Sequence, residues 1–294
     1  MNRTVTRFAP SPSGHLHLGH AYSALFAAEE ADKAGGMFLL RVEDIDIGRC
    51  RPEFETAMLE DLSWLGLSWP KPPRRQSDHM DDYADALKKL EAMGLLYPCF
   101  LSRRELNDAL SAPHLSPGLG PDGPAATDTH RLMPEEERAR RLEAGEPHVL
   151  RLRMAKAAAM AGPLTWTDLD VGAQAATPEI FGDVVLARKD VPTSYHLAVT
   201  VDDALQGVTL VTRGEDLFQA SHVHRLLQAL LELPVPDYRH HPLLLDDKGR
   251  RYAKRDQALT LRSLRKAGHG PDDILRRVRL AANDLAIMVP VDLH

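Results

Sequence analysis

The sequence predicts an α/β fold organised around a parallel sheet. Three observations carry this expectation. Apolar, β-branched runs alternate with helical stretches, the alternation has the spacing of crossover units, and polar side chains gather where the apolar runs end. The 294 residues can hold one large domain or two modest ones.

The first candidate strand, Thr4–Ala9, runs into a rigid turn, Pro10-Ser11-Pro12-Ser13-Gly14. A helix is predicted over Gly19–Ala34, with Ala21, Ala24, Leu25, Ala28 and Ala31 at near-helical spacing and Gly35-Gly36 stopping it. Strand Met37–Val42 and helices Glu53–Leu65 and His79–Met93 continue the pattern. It breaks between about Tyr97 and Thr177, where a Pro/Gly-rich tract (112–124), an Arg-rich helix and a short strand, Val149–Arg153, read as an insertion. Strands Asp183–Arg188, Tyr195–Val201 and Val208–Thr212 and helix Leu217–Leu231 resume it. After Leu245 the chain reads as helical and basic. Four segments are therefore expected: 1–96 and 178–245 as two halves of the sheet domain, 97–177 as the insertion, and 246–294 as a cation-rich loop with a helical module.

Composition narrows the class. Hydrophobic residues make up 44% and charged residues 27%, as in ordinary soluble enzymes. No apolar run approaches the roughly 18 residues of a membrane span, and no apolar signal core opens the chain, so a cytoplasmic protein is expected. Two cysteines, Cys50 and Cys99, suit a reducing compartment. The net charge of −6 means that a nucleic-acid partner would have to be met by local basic patches. Candidates are Arg74-Arg75, Arg138 with Arg140-Arg141, Arg262 to Lys266, and Arg276-Arg277 with Arg279, although composition alone favours reading such runs as solvated helix faces.

Four constellations carry the chemistry. In the first, Arg7-Phe8-Ala9-Pro10-Ser11-Pro12-Ser13-Gly14 leads into His17-Leu18-Gly19-His20 at a helix start. The unsatisfied N–H groups and positive dipole end there suit polyphosphate, Gly19 permits close approach, and His17 and His20 can project from one side of the first turn. The plainer reading is a surface turn with two nearby histidines. In the second, Arg41-Val42-Glu43-Asp44-Ile45-Asp46 leaves the end of a strand, where open parallel sheets place ligands. Glu43 suits an ammonium group; Asp44 and Asp46 are readable as a helix cap and turn formers or as partners of neighbouring arginines. The third joins Thr193-Ser194-Tyr195-His196 through Asp202-Asp203 to Arg213-Gly214-Glu215-Asp216. Arg213 is aimed at a carboxylate or phosphate, or else paired with Asp202, Asp203 or Asp216. The fourth is the cation-rich loop Asp246-Asp247-Lys248-Gly249-Arg250-Arg251-Tyr252-Ala253-Lys254-Arg255-Asp256, which alone would pass for a solvated turn.

Together these segments resemble the class I aminoacyl-tRNA synthetases, and within them the glutamyl group, over roughly Arg3 to Asp256. His17-Leu18-Gly19-His20 is similar to the family's HIGH motif, and Arg251-Tyr252-Ala253-Lys254-Arg255 stands where its KMSKS loop would be, keeping only the second lysine. The resemblance implies a Rossmann-like parallel sheet of the class I synthetase type, an inserted acceptor-binding-like subdomain and a short C-terminal helical module. Only about 40 residues follow Lys254, which is similar to the glutamyl-queuosine tRNA(Asp) synthetases. These attach glutamate to the queuosine base in the anticodon.

By resemblance, ATP and glutamate form glutamyl-adenylate without tRNA, and glutamate then passes to queuosine-bearing tRNA(Asp). His17, Gly19, His20 and Lys254 would bind ATP, with His17, His20 and Lys254 catalytic. Arg7, Phe8, Ala9, Pro10, Ser11, Glu43, Tyr195 and Arg213 would line the glutamate pocket. Mg²⁺ is expected with ATP. Zinc is expected to be absent: Cys99 stands where the family's first zinc ligand would be, Leu101 replaces the second, and His114 and His130 read as ordinary loop residues. The alternatives are a truncated glutamyl-tRNA synthetase charging a 3′ end and a non-catalytic tRNA-binding paralogue.

Overall fold

The computed structural model describes residues 3–102, 104–106, 118–121, 123–125, 128–244 and 260–288. In chain order the elements are β1 (Val5–Phe8), α1 (Leu18–Lys33), β2 (Met37–Val42), α2 (Pro52–Trp64), β3 (Arg74–Arg75), α3 (Met80–Ala92) and β4 (Leu96–Cys99). A small hairpin, β5 (Gly118–Gly120) and β6 (Gly123–Ala125), precedes α4 (Glu135–Glu143), β7 (Val149–Leu152) and α5 (Met154–Ala161). Then come β8 (Thr165–Asp168), β9 (Gly172–Ala175), β10 (Val185–Ala187), α6 (Tyr195–Leu205), β11 (Leu210–Gly214) and α7 (Ala220–Leu230). The chain continues through β12 (Asp237–His241), α8 (Leu261–Lys266) and α9 (Pro271–Met288).

These elements form two compact units. The described residues of Met1–Asp78, Val208–Phe218 and Pro236–His294 make the first; those of His79–Gly207 and Gln219–Val235 make the second.

The first unit carries the parallel strands. β1, β2 and β3 lie in that order and all run parallel, with Val5 opposite Met37 and Arg41 opposite Arg74. β11 runs parallel to β12, and the chain entering β11 lies against β1: the Thr209 amide donates to the Val5 carbonyl at 3.0 Å. Helix α1 crosses from β1 to β2 and buries a face of small residues, Ala21, Ala24, Ala27 and Ala31. That narrow face lets the Thr6 hydroxyl reach the Ala27 carbonyl at 2.7 Å. Leu16, Leu40, Val42, Met58, Leu62, Ile274 and Val278 fill the core, each side chain contributing about 1.5–3 kcal/mol by leaving water.

The second unit is built on antiparallel strands in the order β10-β7-β4. Its core joins Tyr83 and Leu90 of α3 to Leu152, Leu197, Val223, Leu226 and Leu227. A buried polar knot holds the floor of the insertion. The Asp183 carboxylate accepts from the Tyr97 hydroxyl at 2.9 Å, the Thr129 amide at 2.9 Å and the Met154 amide at 3.0 Å.

One element differs in kind from the sequence reading. Tyr195–Val201, expected as a strand, is the start of helix α6. The β-branched Val199, Thr200 and Val201 favour a strand locally, but Ser194 caps the helix by accepting from the Leu197 amide at 3.5 Å. Leu197, Ala198 and Val201 then recur at helical spacing and pack into the core with Val223 and Leu227. Thr200 satisfies its hydroxyl on the His196 carbonyl at 2.8 Å. Strand β12 was not expected: its Asp-Tyr-Arg-His-His sequence has none of the apolar run that marks a buried strand. Among the described residues no helix is long and apolar enough to cross a membrane.

Candidate active site

The Pro/Ser/Gly turn after β1 is laced to the segment leaving β2. The Glu43 amide donates to the Pro10 carbonyl and the Arg51 amide to the Pro12 carbonyl, both at 3.1 Å. Ala9, Pro10 and Ser11 thus form a fixed ledge beside Glu43, whereas Phe8 points into the core.

Helix α1 starts at Leu18, with His17 as its N-cap residue. The His17 amide donates to His20 Nδ1 at 3.2 Å, which leaves the His20 ring proton on Nε2. The two imidazoles lie against each other with centroids 3.8 Å apart. The sequence expectation that both project from one side of the first turn is met. At Gly19, a Cβ would sit 3.1 Å from His17 Cε1, so the missing side chain is what lets the His17 ring lie over the helix start.

Glu43 is held by Arg41, whose side chain is fully buried: Nε and Nη2 donate to Oε1 at 3.3 and 3.0 Å. The alternatives for the two aspartates are resolved. Asp44 accepts from the Ser77 amide at 2.9 Å and hydroxyl at 2.6 Å, with Arg75 Nη1 at 3.6 Å. Asp46 closes a turn by accepting from Arg49 Nε at 2.6 Å. Neither is the N-cap of α2, which is Arg51.

Arg7 is buried on β1 and donates from Nη1 to the Thr212 carbonyl at 3.0 Å. Its guanidinium therefore lies at the main chain immediately before Arg213. Arg213 is also buried; its Nε donates to His240 Nε2 at 3.1 Å and its guanidinium lies 5.3 Å from the Tyr238 ring centroid. Gly214 has no room for a side chain, since a Cβ would stand 2.7 Å from both Asp216 Oδ1 and Leu243 Cδ2. The first unit thus brings two buried cations, one carboxylate and two imidazoles to the strand ends and the α1 start. Tyr195 belongs to the second unit, as the first residue of α6, its ring edge-on to His196 and His224. There Asp202 accepts from the Tyr83 hydroxyl at 3.0 Å. Lys254 and its loop, like His114, lie outside the described residues.

Two residues escaped the sequence reading of the site. Arg41 positions Glu43, and its signal was present: a cation interrupting the apolar run of β2. His240, the Arg213 partner, sits on the unexpected strand β12. The basic insertion is self-compensated. Arg138 is buried and donates to the His130 and Met133 carbonyls, and Arg140 and Arg141 pair with Glu137, whose pKa they pull down to about 2. Cys99 is a buried free thiol, and His130 lies edge-on to Tyr97. Among the described residues no three His, Cys, Asp or Glu side chains are grouped to hold a metal ion.

The family model of the catalytic domain of class I tRNA synthetases, E and Q type, matches residues 3–284. The chain belongs to this family. It is 49% identical over 94% of its length to all of a glutamyl-Q tRNA(Asp) synthetase of Rhodobacter capsulatus. It is 45% identical over 92% of its length to a glutamyl-Q tRNA(Asp) synthetase of Symbiobacterium thermophilum, spanning 83% of that protein. The solved glutamate–tRNA synthetase of Elizabethkingia anophelis superposes with a TM-score of 0.72 at 30% identity, over 87% of this chain. The chain spans about half of that structure, 53%. In this class I synthetase the parallel strands of the first unit are the Rossmann-like sheet of the catalytic domain.

Proposed function

We propose that the chain is an ATP-dependent ligase that activates glutamate and transfers it to the queuosine base in the anticodon of tRNA(Asp). The likeness to the Rhodobacter capsulatus glutamyl-Q tRNA(Asp) synthetase, which reaches across 94% of this chain and the whole of that relative, carries the choice of acceptor.

In the first step the α-carboxylate of glutamate attacks the α-phosphate of ATP, forming glutamyl-adenylate and releasing pyrophosphate. Charge builds on the phosphate oxygens, so catalysis is positioning and electrostatic stabilisation. The α1 start, the His20 Nε2–H edge and His17 hold the phosphates, with Gly19 keeping the approach open, and Lys254 stabilises the departing pyrophosphate. Within the first unit Arg7 and Arg213, both desolvated, meet the glutamate carboxylates, Glu43 meets the ammonium group and the Phe8–Ser11 main chain lies beside them; Tyr195 is assigned to glutamate on the resemblance alone. Mg²⁺ accompanying ATP would offset charge on the phosphate oxygens. In the second step a cyclopentene hydroxyl of queuosine attacks the activated carboxyl, forming the ester and releasing AMP.

Labelled glutamate supplied with ATP tests this reading. It should transfer to tRNA(Asp) carrying queuosine and not to the same tRNA with unmodified guanine. Efficient transfer to queuosine-free tRNA(Glu) would assign the chain to 3′-end charging instead.

A further inference from the structure

Several of the basic groups among the described residues are spent on local ion pairs. Arg75 pairs with Glu55, Arg140 and Arg141 with Glu137, Arg276 with Asp273 and Arg279 with Glu29. Helix α8 holds both a paired cation and cations with no ion pair among the described residues. Its Arg265 faces α2, with Nη2 3.3 Å from Glu60 and Nη1 3.5 Å from Asp61. Arg262 and Lys266, one turn apart on another face, form no ion pair among the described residues.

Those two cations open onto a cleft of about 430 Å³ within the first unit, walled also by Ser13, His15, Phe54 and Ser263. The walls are fixed. The Leu261 amide donates to the Leu16 carbonyl at 2.8 Å, tying α8 to the turn that leads into α1. The His15 ring stands edge-on to Phe54 at 5.1 Å, and its buried Nδ1 has no hydrogen-bond partner among the described residues. Burial, and then the Arg262 and Lys266 charges, hold the His15 pKa below the usual histidine range.

We infer that this cleft seats a backbone phosphate of the tRNA substrate, with Arg262 and Lys266 as its counter-ions and the His15–Phe54 pair as the wall beside the adjoining nucleotide. The inference rests on the tRNA-directed reading above and places one contact of that partner. The cleft adjoins the proposed ATP-phosphate site, since Thr260 in its wall pairs with His17, but His17, Gly19 and His20 do not themselves line it. An anion bound there would give phosphate oxygens to two cations that form no ion pair among the described residues.

The double variant Arg262→Ala/Lys266→Ala tests it, with Arg262→Lys/Lys266→Arg as the charge-preserving control. Binding of queuosine-bearing tRNA(Asp) is titrated against salt, and glutamate-dependent ATP–pyrophosphate exchange is followed in parallel. The alanine pair should bind tRNA about tenfold or more weakly and flatten the slope of log affinity against log salt by about 0.7–0.9, the counterions of one phosphate. Exchange should be unchanged, which also reports an intact fold, and the control should restore the slope. Unchanged affinity and slope would overturn the inference. Lost exchange with unchanged tRNA affinity would overturn it too, assigning the cleft to ATP. A wild-type chain that shows the salt effect but transfers no glutamate to queuosine would instead sink the acceptor reading and leave the cleft assignment standing.

Discussion

Arg41 Nη2 lies 3.0 Å from Glu43 Oε1, and the arginine is wholly buried while the glutamate sits at the end of β2. The pair fixes a carboxylate where the parallel strands of the first unit end, the place at which open α/β sheets bind ligands. A buried guanidinium gripping a carboxylate fixes its orientation. Arg41 thus acts through Glu43 as a positioning residue.

Glu43→Gln should raise the KM for glutamate in ATP–pyrophosphate exchange by about tenfold or more. That is the scale of losing one charge-assisted hydrogen bond of about 1.5–3 kcal/mol. The KM for ATP should change far less. Equal effects on both substrates would remove Glu43 from the ammonium subsite.

Arg7 and Arg213 are both buried; Arg7 donates to the Thr212 carbonyl and Arg213 to the His240 imidazole. In the proposed pocket, glutamine in place of glutamate would exchange a charge-assisted contact to a buried guanidinium for a weaker neutral one, a loss that supports strong discrimination. Exchange should therefore respond to glutamate and show little response to glutamine or aspartate. Comparable exchange with glutamine would refute the pocket assignment.

Much of this was legible in the sequence because the signals were local. The turn between Pro10 and Gly14, the alanine spacing of α1 and the apolar run of β2 each specify their element without reference to the rest of the chain. The misread segment, Tyr195–Val201, is one where a local preference loses to packing: three β-branched residues are overridden by a cap at Ser194 and a core on one helical face. The partners of the site residues were beyond reach for a different reason. Asp44 meets Ser77 and Arg213 meets His240 across 33 and 27 residues, and nothing in either sequence neighbourhood points to the other. The basic patches looked alike as sequence, and only their ion pairs separate Arg140-Arg141 from Arg262 and Lys266.

Lys254 keeps the second lysine position of its loop while its neighbours Arg251 and Arg255 keep the charge. If Lys254 stabilises the departing pyrophosphate, Lys254→Ala should slow activation by on the order of 10²-fold, the scale of one lost electrostatic stabiliser. ATP affinity should fall much less. Unaltered exchange kinetics would transfer the role to the flanking arginines.

Asp61 offers a test through stability. It is almost wholly buried on α2, neither carboxylate oxygen has a hydrogen-bond partner among the described residues, and Arg265 Nη1 is 3.5 Å away. Burial pushes its pKa up to about 6, against the opposing pull of Arg265 and Arg262 and with a small further push from Glu60. The unfolded chain loses this proton near 3.8. Below that value both states are protonated and the group costs nothing. As pH rises to about 6 the unfolded state ionises first, so stability is progressively lost, and above 6 the loss is complete and constant. Asn imitates the protonated acid at every pH. Asp61→Asn should therefore match the wild type in melting temperature near pH 4 and exceed it near pH 7.5, with the gap opening between those values. A variant that melts lower than the wild type at pH 7.5 would show that the Asp61–Arg265 attraction outweighs the burial of the charge.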